Sequence, residues 1–488
     1  MLNQHFYRNN PYNAWGLFIS ILFDPYYLET RMTNQRETAL HYAHQNKEHF
    51  LDDFKQILRI PSVSTEPNHN RDIQSAAEWI ATQLNDLGMT NVSVFPTAKH
   101  PIVYGEMLDS PGAPVILIYG HYDVQPVDPL NLWMTGPFEP EIRGDNIYAR
   151  GASDMKGQNL VMLKAVESLV KTGGIPVNIK WLFEGEEEIG SPNLSSFIAD
   201  HKKLLASDFA LNPDSGMIGK EYPTITYALR GLAYFELRVY GPKHDLHSGI
   251  YGGVVHNPAI ALAEIVAGMH DASGHITLPG FYDKVMKLNK EDLDEMTRLP
   301  INDNHFLEMT GVPALYGEKG FSANERTGAR PTLDVNGMLS GFVGEGSKTV
   351  IPAWAMAKIS MRLVPDQDPE EVHQQFIQYL EKSAPRDIRW ELIVMAGGSA
   401  SISDRNNKGV LAMAKALETV WGTPPFFRRE GGSIPVVKDM QNILGIESII
   451  TGFGLPDDNV HAPNEKMDLP SWYRGIDAII HFFMNFNS

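Results

Sequence analysis

The stretch Val115-Ile116-Leu117-Ile118-Tyr119-Gly120-His121-Tyr122-Asp123 decides how this 488-residue chain is read. Successive side chains of a β-strand point to opposite faces, so a run that is apolar throughout is buried on both. Such strands belong to sheets covered by helices on either side. A histidine and an aspartate follow at once, and in open α/β sheets ligands bind just beyond the carboxyl ends of the strands. Working outward, the same grammar recurs. Upstream, Leu40, Phe50, Leu51, Phe54, Ile57 and Leu58 predict an amphipathic helix over 36–58 that Pro61 ends. A second helix is expected over 73–87, closed by Gly88. Downstream come a helix over 156–170 and strands over 177–183 and near 208–211. Strands alternating with helices predict an α/β layer with a mostly parallel sheet and helices on both faces.

Near residue 226 the pattern changes. Tyr234, Glu236 and Arg238 alternate with Phe235, Leu237 and Val239, which predicts a strand over 226–240 with one wet face. A helix over 258–269, a strand over 357–364, a helix over 369–384 and a strand over 388–394 complete an α+β set suited to an antiparallel sheet. Residues 275–330 predict no element. From Gly397 the α/β character returns, with helices over 409–421 and 472–486. The expected organisation is an α/β domain built from 32–228 and 396–488, interrupted by an inserted α+β domain over 229–395. Residues 1–31 read as a leader outside the fold, either disordered or an over-called start.

Composition narrows the function. Lysine plus arginine number 41 and aspartate plus glutamate 59, a formal net charge of −18. An acidic surface repels phosphate backbones, which argues against nucleic acid. There is no cysteine, so disulfides, thiolate nucleophiles and cysteine-type zinc sites are excluded. Any metal must use His, Asp or Glu. The apolar run over 15–23 is far short of the ~20 residues that span a bilayer, and it lacks a signal-peptide cleavage pattern. No membrane association is expected, and the location is cytoplasmic by default.

Four polar clusters sit at or near the ends of predicted elements: Gly120-His121-Tyr122-Asp123, Arg150-Gly151-Ala152-Ser153-Asp154-Met155-Lys156-Gly157, Glu184-Gly185-Glu186-Glu187-Glu188-Ile189-Gly190-Ser191 and Asn212-Pro213-Asp214-Ser215-Gly216. Each alone has an ordinary explanation: a loop histidine, a solvated acidic turn, a helix N-cap. Together with the late His461, they supply two histidines and three carboxylates, carried mostly on strand ends, as a ligand set for two divalent ions about 3.5–4 Å apart, with one carboxylate bridging. Without cysteine the donors suit Zn²⁺, Mn²⁺ or Co²⁺. Of two adjacent acids, one can ligate while the other takes a proton from water.

These motifs carry a family resemblance. Pro61-Ser62-Val63-Ser64, the clusters at 120–124, 150–157 and 187–191, Leu246-His247-Ser248-Gly249 and Ser360-Met361-Arg362-Leu363-Val364-Pro365 occur in order over about residues 45–485. The chain resembles the M20 metallopeptidases, the aminoacylase/carboxypeptidase G2-like group. Asp245-Leu246-His247-Ser248-Gly249-Ile250-Tyr251-Gly252-Gly253, Lys348-Thr349-Val350-Ile351-Pro352 and Arg429-Glu430-Gly431-Gly432-Ser433-Ile434-Pro435 are similar to its dipeptidase branch, which includes carnosinases.

The resemblance implies two divalent metal ions per chain, zinc first, with manganese or cobalt as alternatives. His121 and Asp214 would ligate one, Glu188 and His461 the other, and Asp154 would bridge. Anchoring on Gly190-Ser191 makes Glu187 the general base and leaves Glu186 pointing elsewhere. Asp123 would orient the His121 ring. Thr349, Arg362 and Ser433 would contact substrate, with Arg362 gripping its C-terminal carboxylate. His247 would reach the active site of a partner subunit and stabilise the oxyanion. The inserted domain would serve as a lid and as the interface of a homodimer. A non-proline cis peptide is expected just after Asp154. The implied activity is cleavage of the amide bond of dipeptides, or short peptides with a free C-terminal carboxylate, by metal-bound hydroxide. A carboxypeptidase or N-acyl-amino-acid deacylase on the same site is the alternative. A catalytically dead binding or assembly protein is a further one, against which the intact ligand set argues.

Overall fold

Alternate residues of the central strands feed two different cores. In the strand Val115–His121, Ile116 and Ile118 join one apolar cluster, and Leu117 and Tyr119 join another. In Asn178–Glu184, Ile179, Trp181 and Phe183 face the first cluster and Leu182 the second. The computed structural model describes residues 25–485, with side chains from residue 34 onward. Helices Lys156–Lys171, Lys408–Trp421 and Leu469–Asn485 supply the first cluster, together with Lys47–Leu58 and Asn70–Asp86. Leu194–Asp200 and Pro435–Asp439 supply the second. The sheet is therefore covered on both faces, as its apolar strands require.

The large sheet has nine strands, and its expected parallel majority is corrected to a mixed sheet. Val115–His121 runs parallel to Asn178–Glu184 and to Phe209–Asn212, which runs parallel to Ser448–Thr451. Phe426–Glu430 is parallel to Thr224–Leu229. As many ladders are antiparallel: Thr90–Phe95 with Ile102–Met107, Ile102–Met107 with Asn178–Glu184, and Thr224–Leu229 with both Ser448–Thr451 and Ser401–Ile402. The first of these is a hairpin, a short connection that permits only antiparallel pairing. Three of the parallel ladders occupy the middle, where the site residues emerge.

Between Thr224–Leu229 and Ser401–Ile402 the chain builds a separate antiparallel sheet, ordered Thr332–Ser340, Trp354–Leu363, Gly231–Tyr240, Arg389–Gly398. Phe235, Leu237 and Val239 pack under helices Pro258–Ala267 and Pro369–Ser383. On the other face Glu236 pairs with Arg238 and Lys358, both at 2.5 Å. The two connections between the sheets touch. A Cβ on Gly231 would lie 2.5 Å from the Gly398 carbonyl, so only glycine fits there.

Four local expectations change. The strand expected over 226–240 is two strands, Thr224–Leu229 in the large sheet and Gly231–Tyr240 in the small one, separated at Arg230. The expected 36–58 helix is two helices, Pro25–Gln45 and Lys47–Leu58, interrupted at Asn46. The Asn46 side chain donates to the Tyr42 carbonyl at 2.8 Å and competes with the helical ladder. Of the leader expected over 1–31, residues 1–24 lie outside the described residues, and the chain is already helical from Pro25. Proline loses nothing at a first helical position. Finally, 275–330 contains helices Lys290–Arg298, Asp303–Thr310 and Ala323–Gly328, capped by Asn289, Asn302 and Ser322. Caps rather than long apolar stripes hold these short helices. Among the described residues, no helix is long and apolar enough to cross a membrane.

Candidate metal centre and active site

Sheet architecture delivers five of the expected residues to one edge. His121 ends the strand Val115–His121, and Asp123 lies two residues on. Glu187 and Glu188 open the turn after Asn178–Glu184, and Asp214 follows Phe209–Asn212 by two residues. Asp154 precedes helix Lys156–Lys171, and the Asp154–Met155 peptide is cis. His461 arrives on a loop with φ 62°, a left-handed conformation that is uncommon for a residue with a side chain.

Asp154 is the hub. Its Oδ1 lies 3.1 Å from His121 Nε2 and its Oδ2 lies 2.8 Å from His461 Nε2. His461 Nε2 is also 3.3 Å from Glu188 Oε2. His121, Asp154 and Glu188 each offer a donor atom within 4.8 Å of the others. Behind them, the His121 Nδ1 atom is 3.1 Å from the Asp123 carbonyl and 3.5 Å from its carboxylate. The Asp123 carboxylate accepts the backbone N–H groups of Glu187 at 3.2 Å and Glu188 at 3.1 Å. Gln125 donates to Glu188 Oε2 at 2.7 Å. Gly120 lets this edge close, because a Cβ there would lie 2.1 Å from Asn159 Oδ1. Asn159 in turn donates to the His121 carbonyl at 2.6 Å.

The electrostatics fit cations. Burial pushes the Glu187 carboxyl up to about 7, and repulsion from Glu188, Asp154 and Asp123 adds to it against the pull of His121. Burial, then repulsion from Asp154, Glu187 and Glu188, drives Asp214 well above the carboxylate range, again opposed by His121. Burial works against charge on Asp154 too, but hydrogen bonds with His121 and His461 outweigh it and hold this carboxyl low. Burial opposes charge on His121, yet its bonds to Asp123 and Asp154 raise it well above its ordinary value. Asp154, then Glu188, raises His461 to about 10. Five buried or half-buried carboxylates thus share two histidines, and protons stand where positive charge is short. Imidazole nitrogens and carboxylate oxygens are the donors that divalent zinc, manganese or cobalt take. A second donor group, His49, Asp53 and Glu167, is different: the Lys164 ammonium bonds Asp53 at 2.5 Å and Glu167 at 2.8 Å and already neutralises it.

The remaining expected residues form two further groups. Arg362 Nη1 donates to Ser433 Oγ at 3.0 Å, and Ser433 donates to the Arg230 carbonyl at 2.5 Å. His247 and Thr349 meet at the short ladder of Leu246–His247 with Val350–Ile351, where the Thr349 carbonyl accepts the Ser248 N–H at 3.2 Å. The His247 ring accepts the Gly249 N–H at 3.0 Å. Both residues are exposed, and neither contacts the carboxylate cluster within this chain.

Two residues escaped the sequence reading. Glu465 is buried and accepts the N–H groups of Gly151 at 2.9 Å, Ser153 at 2.9 Å and Asp154 at 3.1 Å, while Arg150 pairs with it at 2.7 Å. It ties the Asp154 turn to the His461 loop. The only signal was its position four residues after His461. Arg230 lies beside Arg362. Burial, then the Arg362 charge, lowers its pKa to about 10.

A family model described as Peptidase family M20/M25/M40 matches residues 117–485. The chain belongs to this family. A Cys-Gly metallodipeptidase of Candida albicans is 30% identical over 466 residues, which cover 90% of this chain and 95% of that protein. The structure of an M20 family metallo-carboxypeptidase from Sulfolobus solfataricus is 33% identical with a TM-score of 0.81, covering 90% of this chain and 99% of that one. The structure of human carnosine dipeptidase 1 is 28% identical with a TM-score of 0.77, covering 92% and 98%.

Proposed function

We propose that the protein is a dinuclear metal-dependent hydrolase that cleaves the amide bond of dipeptides, or of short peptides with a free C-terminal carboxylate. One observation carries this reading: each carboxylate oxygen of Asp154 faces a different histidine, His121 at 3.1 Å and His461 at 2.8 Å. A carboxylate addressed from both sides is what a bridge between two cations needs. In this reading His121 and Asp214 hold one ion, Glu188 and His461 the other, and Asp154 both. Zinc is the first choice, with manganese and cobalt as alternatives. When bound, such a pair polarises the scissile carbonyl and acidifies water.

The protein's own groups do the rest. Glu187 takes a proton from the attacking water on its carboxylate and returns it to the leaving amine nitrogen. Asp123 fixes the Glu187–Glu188 turn through two backbone N–H groups and stands against the His121 ring, so one side chain orients base and ligands together. Arg362, with Ser433, holds the substrate carboxylate. Thr349 adds a substrate contact. His247 supplies an oxyanion contact from a partner subunit, which makes the unit over 229–395 both lid and interface of a homodimer. Residues 32–228 and 396–488 form the catalytic domain. Cytoplasmic residence belongs to the same proposal and is checked by fractionating source cells.

A metallo-carboxypeptidase is the second reading, favoured by the Sulfolobus solfataricus relative. A panel of free dipeptides, tripeptides, N-blocked dipeptides and N-acyl amino acids separates the two. Turnover confined to free dipeptides supports the first. Equal or faster release of the last residue from N-blocked substrates supports the second.

A further inference from the structure

A cleft of about 750 Å³ opens beside Asp154 and Asp214. Part of its lining comes from none of the polar motifs. Met296, Leu299, Ile301 and Phe306 form an apolar wall from the segment that follows Asn289. A second cavity of about 570 Å³ is lined by Met296, Leu299 and Ile301 as well, so these side chains stand as a partition with space on both sides.

The partition is fixed to the sheet that carries the site. The Asp292 carboxylate accepts the Tyr227 hydroxyl at 3.0 Å and pairs with Arg429 at 3.2 Å. Arg429 also donates to the Tyr227 hydroxyl at 2.8 Å. Tyr227 and Arg429 belong to the paired strands Thr224–Leu229 and Phe426–Glu430. Arg298 donates to the Pro425 carbonyl at 2.5 Å, and Asn324 to the Ile301 carbonyl at 2.9 Å. A buried carboxylate held by an arginine and a tyrosine is costly to undo, so the wall keeps its place relative to Asp214.

We infer that this partition reads a substrate side chain and selects dipeptides carrying a large apolar or aromatic residue. The inference rests on the peptidase reading of the site and deepens it. A dipeptide of glycines leaves the wall facing water. A leucine or phenylalanine side chain removes apolar surface of both partners from water. Against this wall a charged side chain meets apolar surface; His305 is a polar neighbour from the same segment, and Arg428 and Glu430 line the cleft from the sheet. Space behind the partition leaves room for these flexible side chains to adjust to bulk.

The test compares kcat/KM of the metal-loaded protein on Gly-Gly, Phe-Gly, Gly-Phe, Leu-Gly and Gly-Leu. At least one bulky dipeptide is expected to exceed Gly-Gly by about tenfold or more. Phe306→Ser should lower that ratio several-fold, while Phe306→Leu, which keeps an apolar surface, should largely preserve it. Thermal melts of both variants check that they fold. Equal rates across the panel, or a ratio indifferent to Phe306→Ser, would overturn the inference. If no dipeptide is turned over, the peptidase reading falls, and binding decides the partition separately. Greater thermal stabilisation by Phe-Gly or Gly-Phe than by Gly-Gly, lost in Phe306→Ser, supports it. Equal stabilisation overturns it.

Discussion

Four glutamates within five residues have four different fates. Glu184 is buried against the Tyr119 hydroxyl at 2.7 Å and Ser191 at 2.9 Å. Glu186 clamps a neighbouring loop, accepting from Thr97 at 2.8 Å, the His100 N–H at 2.7 Å and Asn193. Glu188 faces His461, and Glu187 has its carboxyl raised by burial. Glu187→Gln should therefore lose activity by at least ~100-fold yet keep its metal, whereas Glu188→Ala should lose one ion. Steady-state kinetics with elemental analysis reads both, and the opposite pattern would shift the assignment by one residue. A pH effect follows as well. Once chelated, the protein holds the Glu187 carboxyl at about 7 against an ordinary 4.5. A raised acid contributes stability that is complete below the unfolded value and lost as pH rises through the folded one. The chelated protein should melt at progressively lower temperature from about pH 4.5 to 7, and Glu187→Gln should flatten that slope. Gly190-Ser191 gave this register as an expectation, which the two variants test. The duty of Glu186 was not legible, because Thr97 and His100, which define it, lie nearly ninety residues away.

At the scale of elements, the Asp154 turn depends on Glu465. Glu465→Ala removes the acceptor of three backbone N–H groups and leaves Arg150 buried without its partner. A broken buried pair of this kind costs about 3–5 kcal/mol, which urea unfolding should show. Glu465→Gln retains an acceptor and should cost less. Elements whose burial shows in hydrophobic pattern were legible: the strands at Val115–His121, Asn178–Glu184 and Gly231–Tyr240, and the helix Lys156–Lys171. Strand direction was not, since antiparallel Ile102–Met107 is as buried as its parallel neighbours. Nor were the helices between residues 290 and 328, whose ends are held by Asn289, Asn302 and Ser322 while their apolar residues face a cleft. The Glu465 and Arg230 contacts join distant segments, and no local spacing announces them.

For the whole molecule, the question is what His247 serves. It is exposed, caps the short helix Ser248–Tyr251 and sits apart from the carboxylate cluster of its own chain. A homodimer would let it act across the interface. Mixing inactive Glu187→Ala and His247→Ala chains should then recover partial activity, because one site of each mixed pair keeps both groups. No recovery after verified subunit exchange would place His247 outside the reaction or within its own subunit. In the proposed site Asp154 bridges two metal positions, His121 with Asp214 on one side and Glu188 with His461 on the other. Elemental analysis of purified wild type and of His121→Ala, His461→Ala and Asp154→Ala tests it most directly. Two divalent ions per wild-type chain are expected, about one in each histidine variant and close to none in Asp154→Ala. Two ions retained by Asp154→Ala, or full wild-type activity in excess chelator, would contradict it.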